Sequence, residues 1–500
     1  VRNLSKSKLL AFRQCPKRLW LEIHHPELRA DSAATEASFA VGHQVGDVAR
    51  RIYDPDGKGA LIDVGVLGFD GAFARTRELL ESSQPIFEAG FSAGGALAFA
   101  DILLPVRRKG KKCWRMVEVK SSTSVKDYHR DDSAIQAHIA RTTGVALDSI
   151  ALAHIDSSWV YPGGGDYQGL LVENDLTEEA FSRDEEVRSW ISDAQKIAAK
   201  RKEPDVGVGT HCGSPYECGF LGYCDGQEEK AEFPVRWLPR IQKKALKEHI
   251  DSNGVIDMRQ VPDELLNEKQ LRVKTHTLAG TYFFDRAQAA AELAACPLPA
   301  CFLDFETIQF AVPIWAGTRP YQQIPFQFSA HSVSVPGKLS HREFLDLSGN
   351  DPSLPLARAL IKACGNEGPV FAYNASFEMM CIRSLGERFP DLQPALMALH
   401  DRVVDLLPIA ERNYYHPSQE GSWSIKKVLP AIAPDLRYDA LDGVQDGGMA
   451  QEAFLEAIFP DTAVARKETL EQQLLDYCKL DTYAMVRLWQ LFAGRDDLTL

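Results

Sequence analysis

The chain has 500 residues, 45% of them hydrophobic and 25% charged, with a formal charge of -13. That composition suits two to four soluble domains with sizeable cores, and no apolar run approaches the ~18 residues of a membrane span, so no membrane partner is expected. The acidic balance argues against a protein that coats nucleic acid indiscriminately, yet it leaves room for acidic metal sites and for local basic clusters.

No apolar segment of signal-peptide type opens the sequence, so a cytoplasmic location is expected. Ten cysteines in a reducing compartment read as thiols or metal ligands rather than disulfides. Cys113, Cys296, Cys301, Cys364, Cys381 and Cys478 stand singly in mostly apolar surroundings and read as packing residues.

Ser5 is placed to cap a helix through Leu9, Leu10 and Phe12, which ends at Cys15-Pro16 before a second amphipathic segment with Leu19, Trp20 and Leu21. By itself Cys15 reads as a buried structural thiol. His43, on the next helix, needs partners before it counts as a ligand. Asp101 is the one carboxylate of the apolar strand Phe99 to Leu103, and Glu118 and Lys120 follow on the strand from Trp114. Period-two geometry puts Glu118 and Lys120 on one face.

Carboxylates on neighbouring strands are oxygen ligands of the kind that Mg2+ and Mn2+ take. A lysine beside them can orient water or stabilise charge on a phosphate. Glu-x-Lys alone reads as a surface ion pair; with Asp101, His43 and the helical Gln136 it reads as a metal centre. Between the strands, Arg107, Arg108, Lys109, Lys111 and Lys112 surround Gly110, as a solvated hairpin or a phosphate contact.

From His211 the chain reads His-Cys-Gly-Ser-Pro-Tyr-Glu-Cys-Gly-Phe-Leu-Gly-Tyr-Cys. Cys212, Cys218 and Cys224 are evenly spaced, and Cys15 is the upstream cysteine that could complete a four-thiolate site. These residues together resemble the RecB-like nucleases of the P-D-(D/E)-x-K superfamily, in the iron-sulfur branch that includes the CRISPR adaptation exonuclease and the AddB-type nuclease domain.

The resemblance implies a [4Fe-4S] cluster on Cys15, Cys212, Cys218 and Cys224, with Zn2+ as the competitor. It also implies metal ligands at His43, Asp101, Glu118 and the Val119 carbonyl, catalytic Lys120, and a substrate contact at Gln136. The gap from Cys212 to Cys218 is longer than usual in that branch, and Ala140 stands where it has an aromatic residue.

From about 226 to 298 the chain is charged and helical, with a turn at Asn253-Gly254. It reads as a helical spacer or a helix-hairpin-helix-like module. Then Cys301 to Thr307 forms an apolar strand on which Asp304 and Glu306 share a face. Enclosing two carboxylates together is expensive unless cations neutralise them, so bound metal is expected. A second strand, Pro369 to Tyr373, leads through Asn374 to Glu378 at a helix start, and a last long helix carries Tyr477 and Asp481 four residues apart.

This order resembles the DnaQ-like DEDD exonucleases of the RNase H-like fold, in the Tyr-x-x-x-Asp subgroup. The resemblance implies Asp304, Glu306, Glu378 and Asp481 as ligands of two divalent ions, Mg2+ or Mn2+, with Tyr477 orienting the attacking water and Asn374 on the substrate side. Glu378 stands where the subgroup has Asp, with Asp405 as a substitute or supporting ligand; Lys426 lies in a segment that resembles a substrate-side stretch.

The whole order is similar to a bacterial family that fuses a RecB-like iron-sulfur nuclease to a DnaQ-like domain. The expected architecture is α/β throughout: a restriction-endonuclease-like mixed sheet at 1–225, a helical connector at 226–298 and an RNase H-like domain at 299–500. The expected activity is hydrolysis of DNA that is single-stranded or has free ends, with RNA as the alternative polymer and a binding scaffold as the alternative role. A homo-oligomer, or a repair or defence complex, stays open.

Overall fold

Largely buried strands between Ile86 and Lys120 give the first half its sheet. The computed structural model describes residues 2–335 and 337–495. It separates into one unit of Val1–Glu228 with Phe310–Gln322 and another of Glu229–Gln309 with Gln323–Leu500.

The first unit runs β1 (Leu4–Ser5), α1 (Lys6–Gln14), α2 (Pro16–His24), α3 (Ala33–Tyr53), β2 (Ala60–Leu61), α4 (Val64–Leu80), β3 (Ile86–Ala93), β4 (Ala96–Arg108), β5 (Lys111–Lys120), α5 (Asp127–Thr142), β6 (Leu147–Ile155), β7 (Leu171–Asp175), α6 (Thr177–Ser182), α7 (Asp184–Ala198) and α8 (Leu221–Gln227). Its seven-stranded sheet has the order β2-β3-β4-β5-β6-β7, with β1 beside β4. The sheet is mixed: β3, β4 and β5 form an antiparallel meander, and β6 returns parallel to β5 after α5.

Ser5 ends β1 and starts α1 at once, its hydroxyl accepting the Lys8 N–H at 3.3 Å. Cys15 closes α1, its N–H returning to the Ala11 carbonyl. Pro16 then opens α2 at a position where its missing N–H leaves no helical bond unmade. α5 buries Ala134, Ile135, Ala137, Ile139 and Ala140 in the core, so the small side chain at 140 fills a fully enclosed position.

The second unit runs α9 (Lys244–Asn253), α10 (Glu268–Ala279), β8 (Phe283–Phe284), α11 (Arg286–Ala294), β9 (Ala300–Ile308), β10 (Ile324–Val333), β11 (Leu339–Leu345), α12 (Ser353–Cys364), β12 (Val370–Ala372), α13 (Ser376–Arg388), α14 (Gln393–His400), β13 (Val403–Asp405), α15 (Leu407–Asn413), β14 (Tyr414–Tyr415), α16 (Ile425–Ile432), α17 (Gly447–Ile458) and α18 (Val464–Phe492). Its five-stranded sheet has the order β11-β10-β9-β12-β13. β9, β10 and β11 are antiparallel; β12 and β13 run parallel to β9. Both units are therefore α/β with mixed sheets.

β9 is enclosed almost throughout, as the continuous apolar run Cys301-Phe302-Leu303 demands. α18 is bonded to the sheet at Leu474, whose carbonyl accepts from Gln327 Nε2 at 2.8 Å. The expected Asn253-Gly254 turn is present, with Gly254 in the left-handed region at the end of α9. The helices of the 226–298 stretch belong to this unit: Leu246, Val273 and Leu293 share a core with Phe302 and Trp489. Among the described residues no helix is long and apolar enough to cross a membrane.

One close approach joins the entries to β9 and β12. Gly368 adopts φ 72°, and a Cβ there would lie 1.7 Å from the Pro299 carbonyl oxygen. Gly368→Ala is expected to destabilise the second unit by about 3 kcal/mol or more, read as a lower urea midpoint.

Candidate functional site

Three groups of chemically capable side chains stand out, two in the first unit and one in the second. In the first centre the β4–β5 pairing runs as far as Ile102 opposite Val117. There the strands part, and the Val119 N–H turns to the Asp101 carboxylate, donating to Oδ2 at 2.7 Å. Glu118 and Lys120 share a face as expected, and Lys120 Nζ lies 2.6 Å from Glu118 Oε1. Gln136 donates through Nε2 to Glu118 Oε2, while its own Oε1 is buried without a partner.

Two further residues complete this network. Asp132, one turn before Gln136 on α5, lies 2.6 Å from Lys120 Nζ through Oδ2 and accepts from Gln136 Nε2 at 3.0 Å through Oδ1. Lys6 reaches in from α1, with its Nζ 2.9 Å from Glu118 Oε1 and 3.1 Å from Asp132 Oδ1. Asp132 carried a legible signal, since it shares a helix face with Gln136 at a spacing of four. Lys6 carried a weak one: a cation at the first position of a helix, against the helix dipole.

Burial by itself would lower Lys120, but Asp132 and Glu118 outweigh it and hold the ammonium well above the ordinary lysine range. Burial would raise Asp132, but Lys120 and Lys6 pull it far below the carboxylate range. Asp101 goes the other way, pushed well up by burial and then by Glu118. Glu88 on β3, with φ 57°, sits between the pairs Phe87–Ile102 and Ala89–Ala100, so it faces the Asp101 position. Burial and then Glu118 raise its carboxyl, with His43 among the groups that oppose them. His43 itself stands on the exposed side of α3, near Glu88.

The second group is a cleft lined by Cys15, Cys212, Cys218 and Cys224 together, beside Lys17, Arg18 and His211. Its walls are held by main-chain and packing contacts. Gln14 Nε2 donates to the His211 and Tyr216 carbonyls, each at 2.7 Å, and Trp20 and Leu21 pack with Cys218 and Phe220. Burial raises the Cys218 and Cys224 thiols, with Arg18 and Lys17 respectively among the groups that oppose it; cationic neighbours of this kind favour thiolates.

The third group is in the second unit. Asp304 and Glu306 leave β9 on one face, and a carboxylate oxygen from each lies within 4.8 Å of the other and of Cys478 Sγ. Cys478, expected as a packing residue, is fully buried but also touches the acids: its sulfur is 3.9 Å from Asp304 Oδ2. Burial and then Asp304 push that thiol well up, so it stays neutral beside them.

Glu378 is buried in the first turn of α13 with Oε2 unpartnered. Burial pushes its carboxyl up to about 8. Burial and then Asp481 raise both Asp304 and Glu306 well above the carboxylate range. No ion pair among the described residues engages any of Asp304, Glu306, Glu378 and Asp481.

Tyr477 and Asp481 share a face of α18, both buried. The direct donor to Asp481 was not foreseen. Tyr438, on a short turn, gives its hydroxyl to Oδ1 at 2.5 Å, a charge-assisted length. Burial pushes Asp481 up to about 6, against the opposing pull of Tyr438, Lys426 and Tyr477. Lys426 is half-buried; its Nζ is 5.1 Å from the ring centres of both tyrosines and donates to the Gln445 carbonyl at 2.8 Å.

Asn374 is exposed with φ 64°, and its N–H donates to Asp405 Oδ1 at 2.9 Å. The same oxygen accepts the Leu407 N–H, so Asp405 pins the loop beside Glu378.

These shifts set a pH dependence. Glu378, ordinarily near 4.5, is raised to about 8, and Asp481, ordinarily near 3.8, to about 6. In this window the folded chain holds more protons than the unfolded one, so stability present at low pH is lost as pH rises through the raised values. In chelator, the melting temperature is expected to fall by about 3 °C or more between about pH 5 and about pH 8.5. Glu378→Gln should flatten that decline, and Mn2+ should raise the melting temperature more at the alkaline end.

A family model described as a domain of unknown function (DUF2779) matches residues 301–424. The match takes in Asp304, Glu306 and Glu378 and stops short of Tyr477 and Asp481. No curated protein matches the chain in sequence.

Proposed function

We propose that the chain is a bifunctional metal-dependent nuclease that hydrolyses phosphodiester bonds at two centres. The observation that carries the reading is the convergence of Asp304, Glu306, Glu378 and Asp481 with no ammonium among the described residues paired to any of them. Enclosed carboxylates that repel one another are stable together when divalent cations neutralise them. The buried, unpartnered Glu378 Oε2 fits that role, so the longer side chain is compatible with an intact centre.

These four acids would hold Mg2+ or Mn2+, which when bound supplies an activated water and a clamp on the phosphate. Tyr438 fixes Asp481 by its hydrogen bond, and Tyr477 would orient the water. The strand order β11-β10-β9-β12-β13, three antiparallel strands followed by two parallel ones, supports an RNase H-like, DnaQ-like assignment with 3'-5' exonuclease activity.

In the first unit, the meander β3-β4-β5 followed by α5 and parallel β6 supports the RecB-like assignment. Asp101 and Glu118, with His43 and the Val119 main chain, would hold the cation there. Lys120 would stabilise the charge that grows on the phosphate, and Gln136 orients Glu118.

The four thiols that line one cleft would hold a [4Fe-4S] cluster, with Zn2+ as the competitor. The substrate class is DNA with single-stranded regions or free ends; RNA is the alternative. One observation favours a binding role for the first unit: Glu118 is already ion-paired to Lys6 and Lys120.

Digestion of single-stranded DNA and RNA, each labelled at either end, in Mg2+ or Mn2+ tests the proposal. Asp304→Ala is expected to abolish the ladder that grows from the 3' end, and Lys120→Ala to slow a distinct set of products by about 10²-fold. If Lys120→Ala leaves every product unchanged, the first unit is a binding module; if the wild type cuts neither polymer, the catalytic reading falls. Protein purified without oxygen should absorb broadly near ~400 nm, and Cys218→Ala should remove that absorption. Colourless protein holding stoichiometric zinc would replace the cluster.

A further inference from the structure

We propose that Lys6 is the exchangeable cation of the first centre. It neutralises Glu118 while no metal is bound and yields Glu118 Oε1 when a divalent ion arrives. The proposal rests on reading Asp101 and Glu118 as metal ligands and goes beyond it by assigning a role to a residue 112 positions away in sequence from Glu118.

The geometry fills one oxygen of Glu118. Its Oε1 meets two ammoniums, Lys6 at 2.9 Å and Lys120 at 2.6 Å, and its Oε2 takes the Gln136 amide. A carboxylate oxygen has two lone pairs, so Oε1 cannot also serve a metal until one ammonium leaves. Lys120 is the more tightly held, with a second contact of 2.6 Å to Asp132 Oδ2. Lys6 has the longer contacts, 2.9 and 3.1 Å, while the two lysine side chains are about equally exposed, 18% and 20%.

Helix energetics supports the assignment. Lys6 is the first residue of α1, whose first turn holds no acid, and a cation there opposes the partial positive charge of the helix N-terminus. The position is tolerated because Glu118 and Asp132 lie opposite.

The chemistry is an exchange of cations on one oxygen, with no bond to carbon or phosphorus made or broken. Once released, the ammonium is a free donor at the rim of the centre, available to a phosphate oxygen. Lysine serves such a role as a mobile point charge.

The test is calorimetric titration of Mn2+ into the full chain carrying Asp304→Ala, so that the second centre contributes less, and into the same chain with Lys6→Gln, Lys6→Met, Lys6→Arg or Asp101→Ala added. Removing a unit charge about 3 Å from the ligand oxygen is expected to tighten Mn2+ binding at the first centre by about tenfold in Lys6→Gln and Lys6→Met. Lys6→Arg should stay within about threefold of the parent, since it keeps the charge. Lys6→Gln retains a hydrogen-bond donor and carries the test if Lys6→Met does not fold.

If Asp101→Ala removes first-centre binding while both neutral variants bind within twofold of the parent, or more weakly, the metal centre stands and the role of Lys6 is overturned. If Asp101→Ala binds as the parent does, the centre itself is misread and the proposal falls with it.

Discussion

The repulsion among carboxylates enclosed together is the constraint on which both units depend, and each answers it differently. In the first, protein cations do most of the work: Lys6 and Lys120 bridge Glu118 and Asp132 from two sides. In the second, Asp304, Glu306, Glu378 and Asp481 face one another with neutral neighbours, the Tyr438 hydroxyl and the Cys478 thiol, and with Lys426 held off on the tyrosine rings. An internally balanced site is stable by itself and must be opened to take a metal. An unbalanced one keeps its carboxyls protonated or takes up a cation. The same acid chemistry therefore predicts different responses to chelation in the two halves.

α1 ties two of the three candidate sites together. Its first residue is Lys6 and its cap is Cys15, so a thiol of the cysteine cleft lies nine positions along the chain from the first centre. Both ends are anchored independently. Leu4 and Ser5 pair with Ala96 and Leu97 of β4, the strand that carries Asp101, and Gln14 grips the His211 and Tyr216 carbonyls. A metal or cluster on the thiols would thus stiffen a helix whose other end delivers an ammonium to Glu118.

Much of this was legible where the signal is local. Asp304 and Glu306 stood out as charges in an apolar strand, Tyr477 and Asp481 as a helical pair, and Cys212, Cys218 and Cys224 by spacing alone. What stayed hidden depends on contacts between distant segments, which no periodicity encodes. Lys6 meets Glu118 across 112 positions, and Tyr438 meets Asp481 across 43. Cys478 was legible as a buried thiol but not as a neighbour of Asp304, since burial and company are different properties. Glu88 was invisible for another reason: its left-handed φ inside a strand is a property of the backbone that a glutamate does not advertise.

The segment Phe310–Gln322, which belongs to the first unit, interrupts the hairpin between β9 and β10. Ala311 and Val312 are buried there with Val45 and Val48 of α3, Ile155 and Leu170, and the Tyr321 hydroxyl donates to the carbonyl of Ser121, the residue after Lys120. The two halves are thus not beads on a string that a single cut would separate. A fragment ending at Glu228 would lack part of its own hydrophobic core and the prop behind its candidate lysine. Recombination at that junction would leave a damaged first unit, so shuffling this architecture requires three crossovers, two of them between β9 and β10.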